Sequence, residues 1–390
     1  MRRDLVLIGS ATVARYITIG IMSIAIQLFF IDKVPDFYIA LLSSIYWTVM
    51  LVFSPLWGTI SDKLRERKMI LVFTNVIIGI LTALYYVVNT YSKVLILHIC
   101  VAAFSSAYLP VVLALIADMT IREKMGRTSA VVNISSSLGF FISGYITAWI
   151  LLRFNVKFLF IIGSVFTFLA GLLYIPVQGL EIVKVNGSLT LRSIIMDSLS
   201  IFREEDLLQH KTHLLIIALS LYYTSLTGIY SLIYVYMVRI GIPSFIVGVI
   251  YSFNTLFQIL FMFPFGYLAD IIGRKKVFLF GFIFSIGGPL GFMLSRTIIG
   301  FIITFSVIGT GFAATISGVT PFLRDISRGE EGARMLSVIN ISMAIGFIIG
   351  PIIAGILVQV TSYQFLFLVT TIILALSAIM AVPVHEVYKP

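Results

Sequence analysis

Charge is scarce in this chain. Only 11% of its 390 residues are Asp, Glu, Lys or Arg, about half of what a soluble domain carries. There is one cysteine, Cys100, so no internal disulfide can form and cysteine says nothing of redox compartment. No GxxxxGKS/T phosphate loop is present, which argues against an ATP-driven pump made by this chain alone. No HExxH is present, which removes the usual intramembrane metalloprotease site. His210 and His213, three residues apart, form one weak metal-ligand pair and read better as solvated loop residues. No metal and no cofactor is therefore expected. The most informative shortage is of deep carboxylates. All 17 Asp and Glu fall in loops or at the ends of hydrophobic runs. A cationic substrate held by a buried acid fits such a chain poorly.

What is abundant is apolar. The chain is 59% hydrophobic, with a mean hydropathy of +1.08. Its hydrophobic runs approach the ~20 residues that cross a ~30 Å hydrocarbon core. They are continuous rather than alternating, so they predict helices, not barrel strands. The fold class expected is an all-α membrane protein. Twelve spans are expected, near 6–30, 38–60, 70–89, 94–117, 129–152, 158–178, 213–238, 245–268, 277–294, 298–322, 336–360 and 362–383. Arg2 and Arg3 before an apolar run imitate a signal peptide, but Arg15 interrupts the run and no small-residue cleavage site follows. This segment reads as the first span.

The net charge of +10 is a topology signal rather than a nucleic-acid footprint. With the N-terminus inside, 20 of the 27 Lys and Arg lie on the inner side and six on the outer side, Arg15 being the remaining one. That bias places both termini in the cytoplasm of a multi-pass cell-membrane protein.

The chain also repeats itself. At an offset of 207, Arg127–Phe140 ("RTSAVVNISSSLGF") falls on Arg334–Phe347 ("RMLSVINISMAIGF"), with seven of fourteen positions identical. Asp118 falls on Asp325, and at offset 208 Gly58 and Asp62 fall on Gly266 and Asp270. Six spans lie in each half and both halves start inside, which is a parallel repeat. The expected organisation is a six-helix bundle over 1–180, a cytoplasmic linker over 181–212, and a second bundle over 213–390. Within the linker, "SLTLRSIIMDSLSIF" carries apolar residues at helical spacing. It reads as an amphipathic helix on the inner membrane surface, or as a plain tether.

Two inner loops answer each other: "GTISDKLRERK" (Gly58–Lys68) and "GYLADIIGRKK" (Gly266–Lys276). The pattern Gly-x-x-x-Asp followed by cations resembles the loop signature of the major facilitator superfamily. The twelve spans, the 6+6 repeat, the inner termini and the long central loop are similar to that family across essentially the whole chain. In the first half Arg65 stands where the second half has the later glycine, Gly273. The glycines, lacking Cβ, would let another helix come close. Asp62 and Asp270 would accept from a helix end or a cation. The resemblance implies a gating role for Gly58, Asp62, Arg67, Lys68, Gly266, Asp270 and Arg274. It implies that Asp62 latches onto the inner end of span eleven, near Ser337 and Asn340. The family's antiporters often carry Gly-Pro in span five, and here span five has Gly139 and Gly144 but no proline.

Candidate substrate residues follow from polarity inside the spans. Tyr16, Gly20, Ser23 and Gln27 share one face of span one. Their offset-207 counterparts, Tyr223, Thr227, Tyr230 and Tyr234, share one face of span seven. The resemblance implies that spans one, four, seven and ten line a central cavity. Asn254 and Gln258 add an i, i+4 pair in span eight. Arg15 would bind an anionic group or snorkel to the headgroups. His98 lies twelve residues before Pro110, where the family's span-four signature has Arg. With an ordinary pKa near ~6.5 it is the candidate proton carrier, or else a neutral imidazole bonded to a tyrosine or a carbonyl. The expected function is secondary active or facilitative transport of a small neutral or anionic organic solute by alternating access, with or without protons. The chain is expected to work as a monomer in the lipid bilayer and to bind no nucleic acid. A lipid or amphiphile flippase, a drug exporter of the same fold, and a non-transporting membrane sensor are the alternatives.

Overall fold

The computed structural model describes residues 2–119, 125–178, 212–326 and 331–384. All the regular structure among them is helical. Eleven helical segments are long and apolar enough to cross a membrane, and the helix of the sixth span, Phe158–Tyr174, is shorter at 17 residues. The linker expected to hold an amphipathic helix lies outside the described residues.

The first half runs α1 (Arg2–Phe30), α2 (Asp36–Leu64), α3 (Arg67–Leu84), α4 (Tyr91–Ser105), α5 (Tyr108–Met119), α6 (Met125–Leu151) and α7 (Phe158–Tyr174). The second runs α8 (Thr212–Tyr230), α9 (Ile233–Arg239), α10 (Ser244–Ile272), α11 (Arg274–Ser285), α12 (Gly287–Leu294), α13 (Ile298–Ile326), α14 (Glu331–Val360) and α15 (Tyr363–Ala381). Three expected spans are therefore interrupted helices: span four (α4, α5), span seven (α8, α9) and span nine (α11, α12). Proline accounts for two of the interruptions. Pro110 and Pro289 have no N–H for the carbonyls of Ser106 and Ser285, four residues earlier. In lipid such freed carbonyls need partners from neighbouring helices.

The chain separates into two compact units. The first holds residues 1–34, 45–191 and 243–252, the second 35–44, 192–242 and 253–390. The beginnings of α2 and α10 thus each pack with the unit other than the one their own half mostly forms. In the first unit α1 packs along α6 and α7, and in the second α8 packs along α14 and α15.

The repeat extends to the atoms of these seams. A methyl group on Gly139 of α6 would lie 2.6 Å from the Cβ of Tyr16, and one on Gly346 of α14 would lie 2.3 Å from the Cβ of Tyr223. Both pairs are related by the 207-residue offset, so one glycine–tyrosine contact is built twice. The neighbouring contact is built with its partners exchanged. In the first unit Gly20 of α1 lies against the Ser143 hydroxyl of α6; in the second, Gly350 of α14 lies against the Thr227 hydroxyl of α8. One side must be bare for the backbones to approach, and either side serves.

Candidate substrate site

In the first unit the polar groups meet around the break in span four. Arg15 is only 3% exposed. Its guanidinium donates to Oδ1 of Asn75 (2.9 Å) and to the carbonyl of Ser105, the last residue of α4 (3.3 Å). It also lies 4.8 Å from the ring centre of Tyr108, the first residue of α5. Its Nε has no partner and it makes no ion pair among the described residues. From α2, the Trp57 indole donates to the carbonyl of Ala103 (2.8 Å). The Tyr108 hydroxyl bonds that of Thr12 at 2.7 Å. The two readings of Arg15, anion ligand or snorkelling side chain, meet a third arrangement. The head group turns inward and bonds spans three and four.

His98 is buried in α4, with Nδ1 3.0 Å from the Tyr85 hydroxyl and its ring 5.2 Å from that of Tyr46. This is the tyrosine-bonded arrangement allowed for by its sequence context. Gln27 is buried in α1.

In the second unit, three expected residues form one network. Asn254, 1% exposed, donates from Nδ2 to the Tyr230 hydroxyl (3.1 Å) and to the carbonyl of Phe305 (3.2 Å). Its Oδ1 accepts from Nε2 of Gln258 (2.7 Å). The Tyr230 and Phe305 rings lie parallel to within 7°. Tyr234 is buried, and Tyr223 is packed into the α8–α14 seam beside Phe347, its hydroxyl without a partner among the described residues. The lower half of each polar stripe is thus helix seam, while Tyr230 stands in a network of its own.

The duplicated signature appears as the same constellation in each unit. Arg67 pairs with Asp118 at 2.7 Å and with Asp62 at 3.4 Å. Arg274 pairs with Asp325 and, at 3.8 Å, with Asp270, and donates to the carbonyl of Pro321 at 2.7 Å. Lys68 caps the carbonyl of Ile175 at 3.2 Å. The close helix approach expected at the signature glycines is not found among the described residues. A methyl group on Gly266 would meet nothing within 4 Å, and one on Gly58 only the Pro110 side chain at 4.0 Å. The close approaches lie in the α1–α6 and α8–α14 seams instead. The side chain of Ser337 lies outside the description, and Asn340 is exposed.

Sequence reasoning passed over several of these partners. Asn75 is a lone polar residue in an apolar span, and nothing in its spacing points to Arg15. Asp36 was counted as a span-end acid. It is 8% exposed, pairs with Arg239, and accepts from the Tyr363 hydroxyl at 2.8 Å, all within the second unit.

Comparison with known proteins decides the family. The model of the Major Facilitator Superfamily matches residues 8–257 and 214–390. The chain belongs to the Major Facilitator Superfamily. This superfamily member resembles an uncharacterized transporter of Buchnera aphidicola subsp. Schizaphis graminum, with 36% identity over 121 residues, 30% of each protein. It also resembles an uncharacterized MFS-type transporter of Methanocaldococcus jannaschii, with 24% identity over 79% of this chain and 80% of that one. The inner membrane transport protein YajR of Escherichia coli is 31% identical over 29% of this chain and 25% of its own length. Among solved structures, the nucleoside transporter NupG matches with a TM-score of 0.83 at 13% identity, covering all of both chains. That identity carries the fold alone. The superfamily chain is accordingly a multi-pass membrane transporter.

Proposed function

We propose that this transporter moves a small neutral or anionic organic solute across the cell membrane by alternating access, with both termini in the cytoplasm. The observation that carries the reading is the uncharged polar network of Tyr230, Asn254 and Gln258. It sits in a chain whose described spans hold no carboxylate away from their ends. A cationic substrate would find no counter-charge there. His98 is the proposed proton carrier. Its Nδ1 faces a phenol that can donate to the neutral ring or accept from the charged one, so both protonation states can be held. Each state would favour a different conformation of the transporter.

The test is uptake into proteoliposomes holding the purified protein, with a mixed solute library outside and an imposed pH gradient. Accumulation of a neutral or anionic solute is the expected result. Uptake only of cations, or of nothing, would refute the reading, and equilibration without accumulation would refute the proton coupling alone. His98→Gln keeps a hydrogen-bonding side chain and should abolish gradient-driven accumulation while leaving exchange without a gradient. If that variant still concentrates solute, the proton travels elsewhere.

A further inference from the structure

The network around Asn254 fixes more than the absence of charge. The carbonyl of Phe305 can only accept, so the Asn254 atom facing it must be the amide nitrogen. The other end of that side chain is then Oδ1, and Gln258 must turn its Nε2 toward it. The orientation of the Gln258 carboxamide follows by necessity. Its remaining N–H and its Oε1, a donor beside an acceptor in one plane, have no partner among the described residues.

The position of this edge is equally specific. Along α10 the exposed apolar stripe runs through Leu260 (55%), Phe263 (85%), Tyr267 and Ile271. At 3.6 residues per turn Gln258 lies on the opposite face of the helix, away from lipid. It is half-buried, as is Tyr230, whose ring stands parallel to that of Phe305. The described cations and acids of this unit stand at or just beyond helix ends, among them Asp36, Arg239, Asp270, Arg274, Arg296 and Asp325.

We propose that Gln258 is the specificity-determining residue for a planar, uncharged solute carrying adjacent donor and acceptor groups, as in a lactam or a carboxamide. Asn254 is its positioning residue and touches no solute. A lactam or carboxamide edge matches the carboxamide of Gln258 donor to acceptor and acceptor to donor. A carboxylate offers two acceptors and would leave the N–H matched but set its charge against Oε1. The flat face of half-buried Tyr230, backed by the fully buried ring of Phe305, suits a planar ring. This rests on the chain being a transporter of small organic solutes, and it names the class.

Two matched pairs test it: benzamide against benzoate, and nicotinamide against nicotinate. Each pair keeps the ring and exchanges its carboxamide for a carboxylate. Affinities are measured by calorimetry on the purified full-length protein, and uptake in proteoliposomes in parallel. The uncharged member of each pair should bind roughly tenfold or more tightly than its partner. Gln258→Leu should erase that preference, and Asn254→Leu should do the same from outside the contact. Gln258→Met, close in shape, keeps the test open if the leucine variants misfold. Equal or tighter binding of the carboxylates would overturn the proposal. So would failure of both uncharged solutes to bind, or a preference unchanged in Gln258→Met. Binding with the expected preference but no uptake would refute transport of these solutes and leave the site standing. Uptake of some other solute, without the preference, would refute the site and leave transport standing.

Discussion

Arg15 faces no carboxylate among the described residues, yet its side chain is almost wholly buried. A buried guanidinium without compensation costs several kcal/mol. Compensation here comes from the break in span four. The carbonyl of Ser105 ends a 15-residue helix and carries the negative end of its dipole. The π face of Tyr108 and the Asn75 oxygen add to it. At offset 207 the second unit has Tyr222, which reaches the corresponding span through Ser285 at 3.2 Å. Both residues tie the first helix of their half to the third. Arg15→Leu should therefore lower thermal stability in detergent, by ~1–3 kcal/mol for each acceptor left unsatisfied. Arg15→Lys should recover part of it. If Arg15→Leu melts like the parent while substrate affinity collapses, the guanidinium is a ligand for solute and not a brace. An ionisable residue inside a span was visible in the sequence. Its partners were not, because Asn75 and the Ser105 carbonyl are brought to it by helix packing and by a proline five residues beyond that carbonyl.

The helix seams show where pattern reading succeeds and where it stops. Identical residues at offset 207 marked Gly139 and Gly346, and both prove to sit against the equivalent tyrosine. The adjacent pair escaped notice because its residues differ in type: Gly20 with Ser143, Thr227 with Gly350. Identity was lost while the packing rule, one bare side and one hydroxyl, was kept. Gly58 and Gly266 erred the other way, for a shared motif glycine need not be a contact glycine. The interruptions of spans four and nine were open to prediction from Pro110 and Pro289. That of span seven, at Ser231 and Leu232, has no proline to announce it. The exchanged pair makes a sharp prediction. Gly20→Thr alone should overpack the α1–α6 seam and destabilise by ~1–3 kcal/mol. Adding Ser143→Gly copies the arrangement of the second unit and should restore most of the loss. A double-mutant cycle on unfolding free energies reads the coupling. Additive effects would mean that the two seams are not equivalent.

For the molecule as a whole, hydropathy, the charge bias and the duplicated loops together carried the fold, because a membrane admits few backbone solutions. The gating role of the loops is a separate question, and the ion pairs sharpen it. Arg67 holds Asp118 at 2.7 Å but Asp62 only at 3.4 Å, and Asp62 is 58% exposed. Exposed pairs of this kind stabilise by less than ~1 kcal/mol. Asp62→Asn should therefore leave the local fold and expression near normal, since the Arg67–Asp118 pair survives. If Asp62 also latches the inner end of span eleven, as the family resemblance implies, its loss should loosen the inner seal. A cysteine placed at Asn340, in a Cys100→Ser background, should then react severalfold faster with a charged thiol reagent added from the inner side, and uptake should slow. Asp270→Asn is the matched control. Its carboxylate is also exposed and sits 3.8 Å from an arginine that bonds Asp325 and the Pro321 carbonyl as well. A smaller change is expected there. Equal labelling rates in parent, Asp62→Asn and Asp270→Asn would leave both loops as anchors of topology, with their cations set by the positive-inside bias alone.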